Sequence, residues 1–196
     1  MARKNKNINP MLADKIKEAT LQYHQQTEKV LVGKLKSMRS KRDYIDLLTL
    51  FYGYFGGLEK HIERYINASN LADYENRRKT SAIADDILTL GGAIPALTAE
   101  DQLPEIDNYL KAFGALYVIE GSTLGGQIIS KMVQQHLHIA DGKGLSFFNS
   151  YGGQTEQMWS SFKETLNGIA MTPQDEEMII EAANQTFINF KGWLDK

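Results

Sequence analysis

Ile16–Glu28, IKEATLQYHQQTE, is the stretch from which the rest of the chain is read. It contains no Gly or Pro and mixes polar with apolar residues at helical spacing. Lys17, Thr20, His24 and Glu28 recur at i−7, i−4, i and i+4 about the histidine. At ~100° per residue they share one stripe of a helix. Glu28 stands one turn beyond His24. Lys17 stands two turns before it, about 10 Å away along the axis. A carboxylate so placed, directly or through water, orients an imidazole and raises its basicity, as partners of metal-bound histidines do. The long-armed lysine reaches an anionic group on whatever the histidine ligates. The same spacing also describes a surface Glu–His pair worth a few tenths of a kcal/mol. Spacing alone leaves both readings open.

Around this stretch the composition is that of an ordinary globular chain. There are 196 residues, 42% hydrophobic and 10% aromatic, enough for one domain with a real core. The net charge of −2 gives no basic excess of the kind that binds nucleic acid or a membrane surface. The absence of cysteine removes disulfides, thiolate metal sites and cysteine nucleophiles together. MARKNKNINP begins basic but no apolar segment follows, so it does not read as a signal peptide. AFGALYVI and similar runs fall far short of the ~20 residues a membrane helix needs. A soluble, cytoplasmic protein is expected, with no nucleic-acid or membrane partner. The even charge mix favours a monomer.

Residues 1–10 read as a flexible tail and residues 11–196 as a single helical domain. The first helix runs from about Met11 into the 30s, interrupted at Gly33. Ser40 caps a second, in which Tyr44, Leu47, Leu48, Phe51, Phe55, Leu58, Ile62 and Ile66 form an apolar stripe. Gly53, Gly56 and Gly57 within it imply a bend or close packing. A third helix fits Tyr74–Leu90, ended by Gly91 and Gly92. A fourth fits about Glu105–Leu137, and a fifth Thr155–Leu166. A last helix opens at Thr172-Pro173 and runs to Leu194. No alternation typical of strands appears, so the fold class is all-α, a multi-helix bundle. Of the four histidines, His61 reads as a solvated surface residue. His136 and His138, at i and i+2, do not share a helical face.

The second informative stretch is Ala115–Ile129, ALYVIEGSTLGGQII. It reads as helix, yet Gly121, Gly125 and Gly126 each cost about 1 kcal/mol relative to alanine. Something must offset that. Bare backbone at these positions lets either a flat, bulky group or another helix approach closely. The segment by itself favours neither.

KEAT followed four residues later by His24-x-x-x-Glu28 resembles the proximal helix of the heme oxygenase family, and Gly121-Ser122-Thr123-Leu124-Gly125-Gly126 is similar to its distal helix. GLSFF at Gly144–Phe148 and the helix after Pro173, with Ala183, Phe187 and Asn189, extend the likeness to nearly the whole chain. The resemblance implies a helical bundle of the heme oxygenase type. It implies heme as both substrate and cofactor, with His24 as axial iron ligand, Lys17 on a propionate and Glu28 tuning the imidazole. Gly121, Ser122, Gly125 and Gly126 would form the distal roof, with Thr20, Tyr117, Phe148 and Phe187 as further heme contacts. The implied reaction is cleavage of heme by dioxygen to biliverdin, carbon monoxide and ferrous iron. Electrons would come from an external ferredoxin or flavin reductase, since no phosphate-cradling Gly-rich turn follows a strand.

Two departures stand out. Mammalian members carry an Asp straight after the first distal glycine. Here Ser122 takes that place, and it is no acid at neutral pH. The Glu-Gly-Ser variant is similar to the bacterial branch. On the fifth helix Ser160 falls near a position where the family often places arginine, with Lys163 one turn away, which leaves the regiochemistry of cleavage open. A non-catalytic heme carrier on the same scaffold is the alternative. Thiaminase-like relatives need a cysteine, and di-iron bundles need Glu-x-x-His pairs that this chain lacks.

Overall fold

The computed structural model describes residues 10–138 and 142–196, so the expected tail lies outside the described residues except for Pro10. Seven helices follow in order: α1 Leu12–Ser37, α2 Lys41–Ile62, α3 Ser81–Thr89, α4 Tyr109–Leu137, α5 Ser146–Asn149, α6 Thr155–Ile169 and α7 Pro173–Leu194. Single 3-10 turns lie at Tyr74–Asn76, Glu100–Gln102 and Gly152–Gln154, and there is no strand among the described residues. The all-α expectation holds.

The long helices begin where cap chemistry stands in the sequence. At α2, Ser40 accepts from Asp43 N while the Asp43 carboxylate accepts from Ser40 N, a capping box. Thr172 and Asp175 repeat it at α7, with Pro173 at the first helical position. Asn108 accepts from Lys111 N at the start of α4, four residues later than the expected Glu105. Gly33 does not interrupt α1, which continues to Ser37.

α7 is the central strut, packed most extensively on α1 and α4. α4 is buried almost all round from Leu110 to Glu120, as expected of a helix apolar on every side. It approaches α7 at Gly114, where a Cβ would stand 2.3 Å from Ile179 O. Phe51, Tyr54, Phe55, Phe147, Phe148 and Phe190 form one aromatic cluster joining α2, α5 and α7. Each such ring buried adds about 1.5–3 kcal/mol. Tyr44 and Tyr54 lie inside, donating to Gly144 O at 2.8 Å and Thr186 O at 2.9 Å.

The glycines of α2 produce close packing. The connector after α3 lies on them, with Thr98 N donating to Gly53 O at 3.0 Å. A Cβ at Gly56 would meet Leu97 at 2.6 Å. The expected helix over Tyr74–Leu90 is broken: Arg77 is extended, with φ −73° and ψ 147°, and α3 begins only at Ser81. Tertiary bonding of the two arginines overrides helical periodicity here.

Candidate functional site

On α1, Lys17, Leu21, His24 and Glu28 form an exposed row. The His24 side chain is 48% exposed and its Nε2 lies 3.5 Å from Glu28 Oε1, so the carboxylate faces the imidazole without clamping it. The ring meets Phe187 of α7 edge-on, with centres 5.4 Å apart. Directly behind, Thr27 is buried and donates to Tyr23 O at 2.9 Å, with Phe187 O at 3.4 Å. Thr20 belongs to the inward side of this helix: it is 3% exposed and its hydroxyl donates to Ile16 O at 2.8 Å. Its hydroxyl proton is thus committed to the backbone of α1.

On α4, Gly121, Leu124, Gly125 and Ile128 fall at i, i+3, i+4 and i+7, one face. Leu124 and Ile128 are 39% and 64% exposed, large values for aliphatic side chains. A Cβ added at Gly125 would touch nothing within 4 Å, and at Gly121 only Trp159 at 3.7 Å. Gly126 differs. Its Cβ would stand 2.3 Å from Phe148 O. The three glycines therefore divide: Gly126 admits the backbone of α5, Gly121 lies against the Trp159 indole, and Gly125 leaves backbone bare toward open space. α1 and α4 touch each other only sparsely and both rest on α7. Two open rows, one bearing a histidine and one bearing bare backbone, thus share one support.

Phe148 is 2% exposed, packed on Phe51 at 5.3 Å, and shapes the site by seating α5 under Gly126. Tyr117 is buried, tilted against Trp159 at 5.3 Å. Burial and the nearby Asp14 push its phenol up to about 12.

Behind Ser122 lies a polar network that sequence periodicity does not reveal. Ser122 donates to Ile119 O at 2.6 Å and accepts from Arg78 Nη2 at 2.8 Å. A hydroxyl offers one proton and two lone pairs, so one lone pair remains. Burial pulls the Arg78 guanidinium down to about 10. Arg78 N donates to the Tyr151 hydroxyl, which donates to Glu120. Glu120 and Arg77, each with a side chain 1% exposed, are paired at 2.8 Å, and Arg77 also grips Asp73 and Met158 O. Burial works against the Arg77 charge, but Glu120 and Asp73 outweigh it and hold its pKa above the ordinary value. Glu120 bonds Arg77 and Tyr151 and makes no direct bond to Ser122. The consecutive arginines nonetheless tie the two together. The one trace of this in the sequence is a carboxylate set within the apolar run ALYVIEG.

Ser160 is exposed, and Lys163 holds its ammonium 5.7 Å from the Trp159 ring centre. His61 is not a solvated residue. Its side chain is 14% exposed and lies 3.5 Å from Glu100. His136 and His138 are exposed at the end of α4, where His138 takes a left-handed φ of 51°. No group of three His, Cys, Asp or Glu able to hold a metal occurs among the described residues. No helix among them is long and apolar enough to cross a membrane.

The family model described as heme oxygenase matches residues 10–196. A heme oxygenase of Xanthomonas campestris is 27% identical over 92 residues, 47% of this chain and 53% of that protein, so this match spans only about half its length. Heme oxygenase 1 of a Nostoc species is 24% identical over 90% of this chain and 81% of its own. The heme oxygenase of Neisseria meningitidis superposes with a TM-score of 0.79 at 26% identity, covering 94% of this chain and 90% of that one.

Proposed function

The chain belongs to the heme oxygenase family, and from that premise we propose that it binds heme between α1 and α4 and cleaves it. Dioxygen and external electrons convert heme to biliverdin, carbon monoxide and ferrous iron. The observation that supports the reading is an exposed His24 on α1 together with uncovered backbone at Gly125 on α4, two helices that both pack on α7. A lone histidine, with no second metal-capable group beside it but Glu28, suits a metal that brings its other donors with it. A porphyrin iron does so and needs only axial ligation. Leu21, Leu124 and Ile128 are the apolar surface such a macrocycle would cover.

Heme supplies the iron that binds dioxygen and the ring carbon that is oxidised. The protein's own groups do the rest. His24 would hold the heme iron through a ring nitrogen, with Glu28 facing the imidazole and Phe187 behind it. Lys17, exposed at the rim, pairs with a propionate. Gly121 and Gly125 would let backbone approach the heme, while Gly126 and Phe148 hold α4 and α5 close together. Ser122, its proton already given to Ile119 O and one lone pair taken by Arg78, would order water only through the lone pair that remains. Thr20 and Tyr117 hold the walls from behind. Electrons come from a separate ferredoxin or flavin reductase, and the protein acts as a cytoplasmic monomer.

Titration with hemin, followed by ascorbate or a reductase system, tests this in the wild type and in His24→Ala. The expected result is a sharp Soret band that decays to a bilin spectrum, with the histidine-ligated spectrum and the decay lost in His24→Ala. Binding through His24 without bilin would make the chain a heme carrier. No hemin binding would overturn both.

A further inference from the structure

Among the described residues outside Gly121's own chain neighbours, Trp159 of α6 is the one side chain within 4 Å of where a Gly121 Cβ would stand, its Cη2 at 3.7 Å. The indole stacks on Phe162, with centres 5.8 Å apart and planes 18° from parallel, and tilts against Tyr117 at 5.3 Å. Phe162 is fully buried, whereas Trp159 is partly exposed. A side chain with two torsions, stacked on one ring and flanked by a second, presents a rigid edge. The other tryptophan, Trp193, is engaged elsewhere, donating to Leu50 O at 2.8 Å and resting near Gly53.

We propose that Trp159 is a specificity-determining residue: its indole walls the cleft beside Gly121 and fixes the rotation of the macrocycle within its plane. That rotation decides which bridging carbon lies under the distal roof and is opened. The inference rests on the heme-binding reading above. A single axial histidine leaves a porphyrin free to turn about the iron–nitrogen bond, so orientation must come from groups at the ring's edge. Along the α4 row, Gly121 and Gly125 have no side chain, and Leu124 and Ile128 are exposed aliphatics. The rigid, bulky group at this patch is the indole. Ser160, the residue after it, is exposed and uncharged. The indole's shape therefore acts alongside the charges of Lys17 and of Lys163, whose ammonium stands 5.7 Å from the indole ring centre.

The test uses the full chain loaded with hemin. In the ferric, cyanide-ligated complex, proton NMR should give dipolar cross-peaks between Trp159 ring protons and porphyrin substituents, assigned with Trp159→Phe and Trp193→Phe. Wild type should show one set of heme-methyl resonances and yield one biliverdin isomer. Trp159→Ala should show two or more sets and a mixture of isomers. Trp159→Phe, which keeps an aromatic wall, should retain the single isomer, and thermal melts of both variants separate a lost wall from a lost fold. Absent cross-peaks, or one unchanged isomer from folded Trp159→Ala, would overturn the assignment while leaving the family reading intact. Failure of the wild type to bind hemin would overturn both.

Discussion

Gly125 and Gly126 are neighbours in α4 with opposite surroundings, and substitution separates their roles. A Cβ at Gly126 meets Phe148 O at 2.3 Å, so α4 and α5 must part. Gly126→Ala should cost about 2 kcal/mol by overpacking, read from a denaturant midpoint. Among the described residues, a Cβ at Gly125 meets nothing beyond its own stretch of helix within 4 Å. Gly125→Ala should stabilise the free protein by up to about 1 kcal/mol through helix propensity, yet weaken hemin binding. A loss of stability at Gly125 equal to that at Gly126 would show that both glycines serve packing alone. That three glycines share a helix is plain in the sequence. Which of them faces another helix is not, because the distinction depends on where α5 crosses.

At the scale of the element, two caps govern where α2 and α7 start. Thr172 accepts from Asp175 N at 3.2 Å, and Thr172→Ala should cost about 1 kcal/mol. The Asp175 carboxyl is held below its ordinary 3.8, first by the Met171 N–H that it accepts and then by that of Thr172. Asp43 is lowered in the same way by Arg39 N and Ser40. A lowered folded pKa means that the contribution is fully present above 3.8 and is lost as pH falls through the folded value. Urea midpoints followed from neutral pH into the acid range should therefore fall less steeply in Asp43→Asn and Asp175→Asn than in the wild type. Identical slopes would remove the carboxylates from the caps. These helix starts were legible because Ser-x-x-Asp and Thr-Pro-x-Asp act within four residues. α3 was mislocated because Arg77 and Arg78 take their partners from α4 and α6. α5 went unread because its start is capped from a distance: Asp86 accepts from Ser146 N at 3.0 Å and Phe147 N at 2.9 Å.

At the scale of the whole molecule, the Asp73–Arg77–Glu120 group ties the segment before α3 to α4 and, through Met158 O, to α6. Both members of the Arg77–Glu120 pair are buried, so solvent screens it little. Removing one partner leaves a charge without its counterpart. Glu120→Gln should destabilise by about 3 kcal/mol, and thermal melts of the free protein measure it. A change below ~0.5 kcal/mol would show that Asp73 alone suffices for Arg77. The fold class, the capped starts of α2 and α7 and the histidine-bearing stripe on α1 were determined by the sequence itself, because periodicity, cap chemistry and i, i+4 spacing act within a few turns. Tertiary structure alone decided that Gly126 packs on α5 while Gly125 stays bare, that Thr20 turns inward, that Arg78 occupies Ser122, and that Trp159 stands beside Gly121. Each of these joins residues far apart in the chain, and such contacts arise only when helices cross.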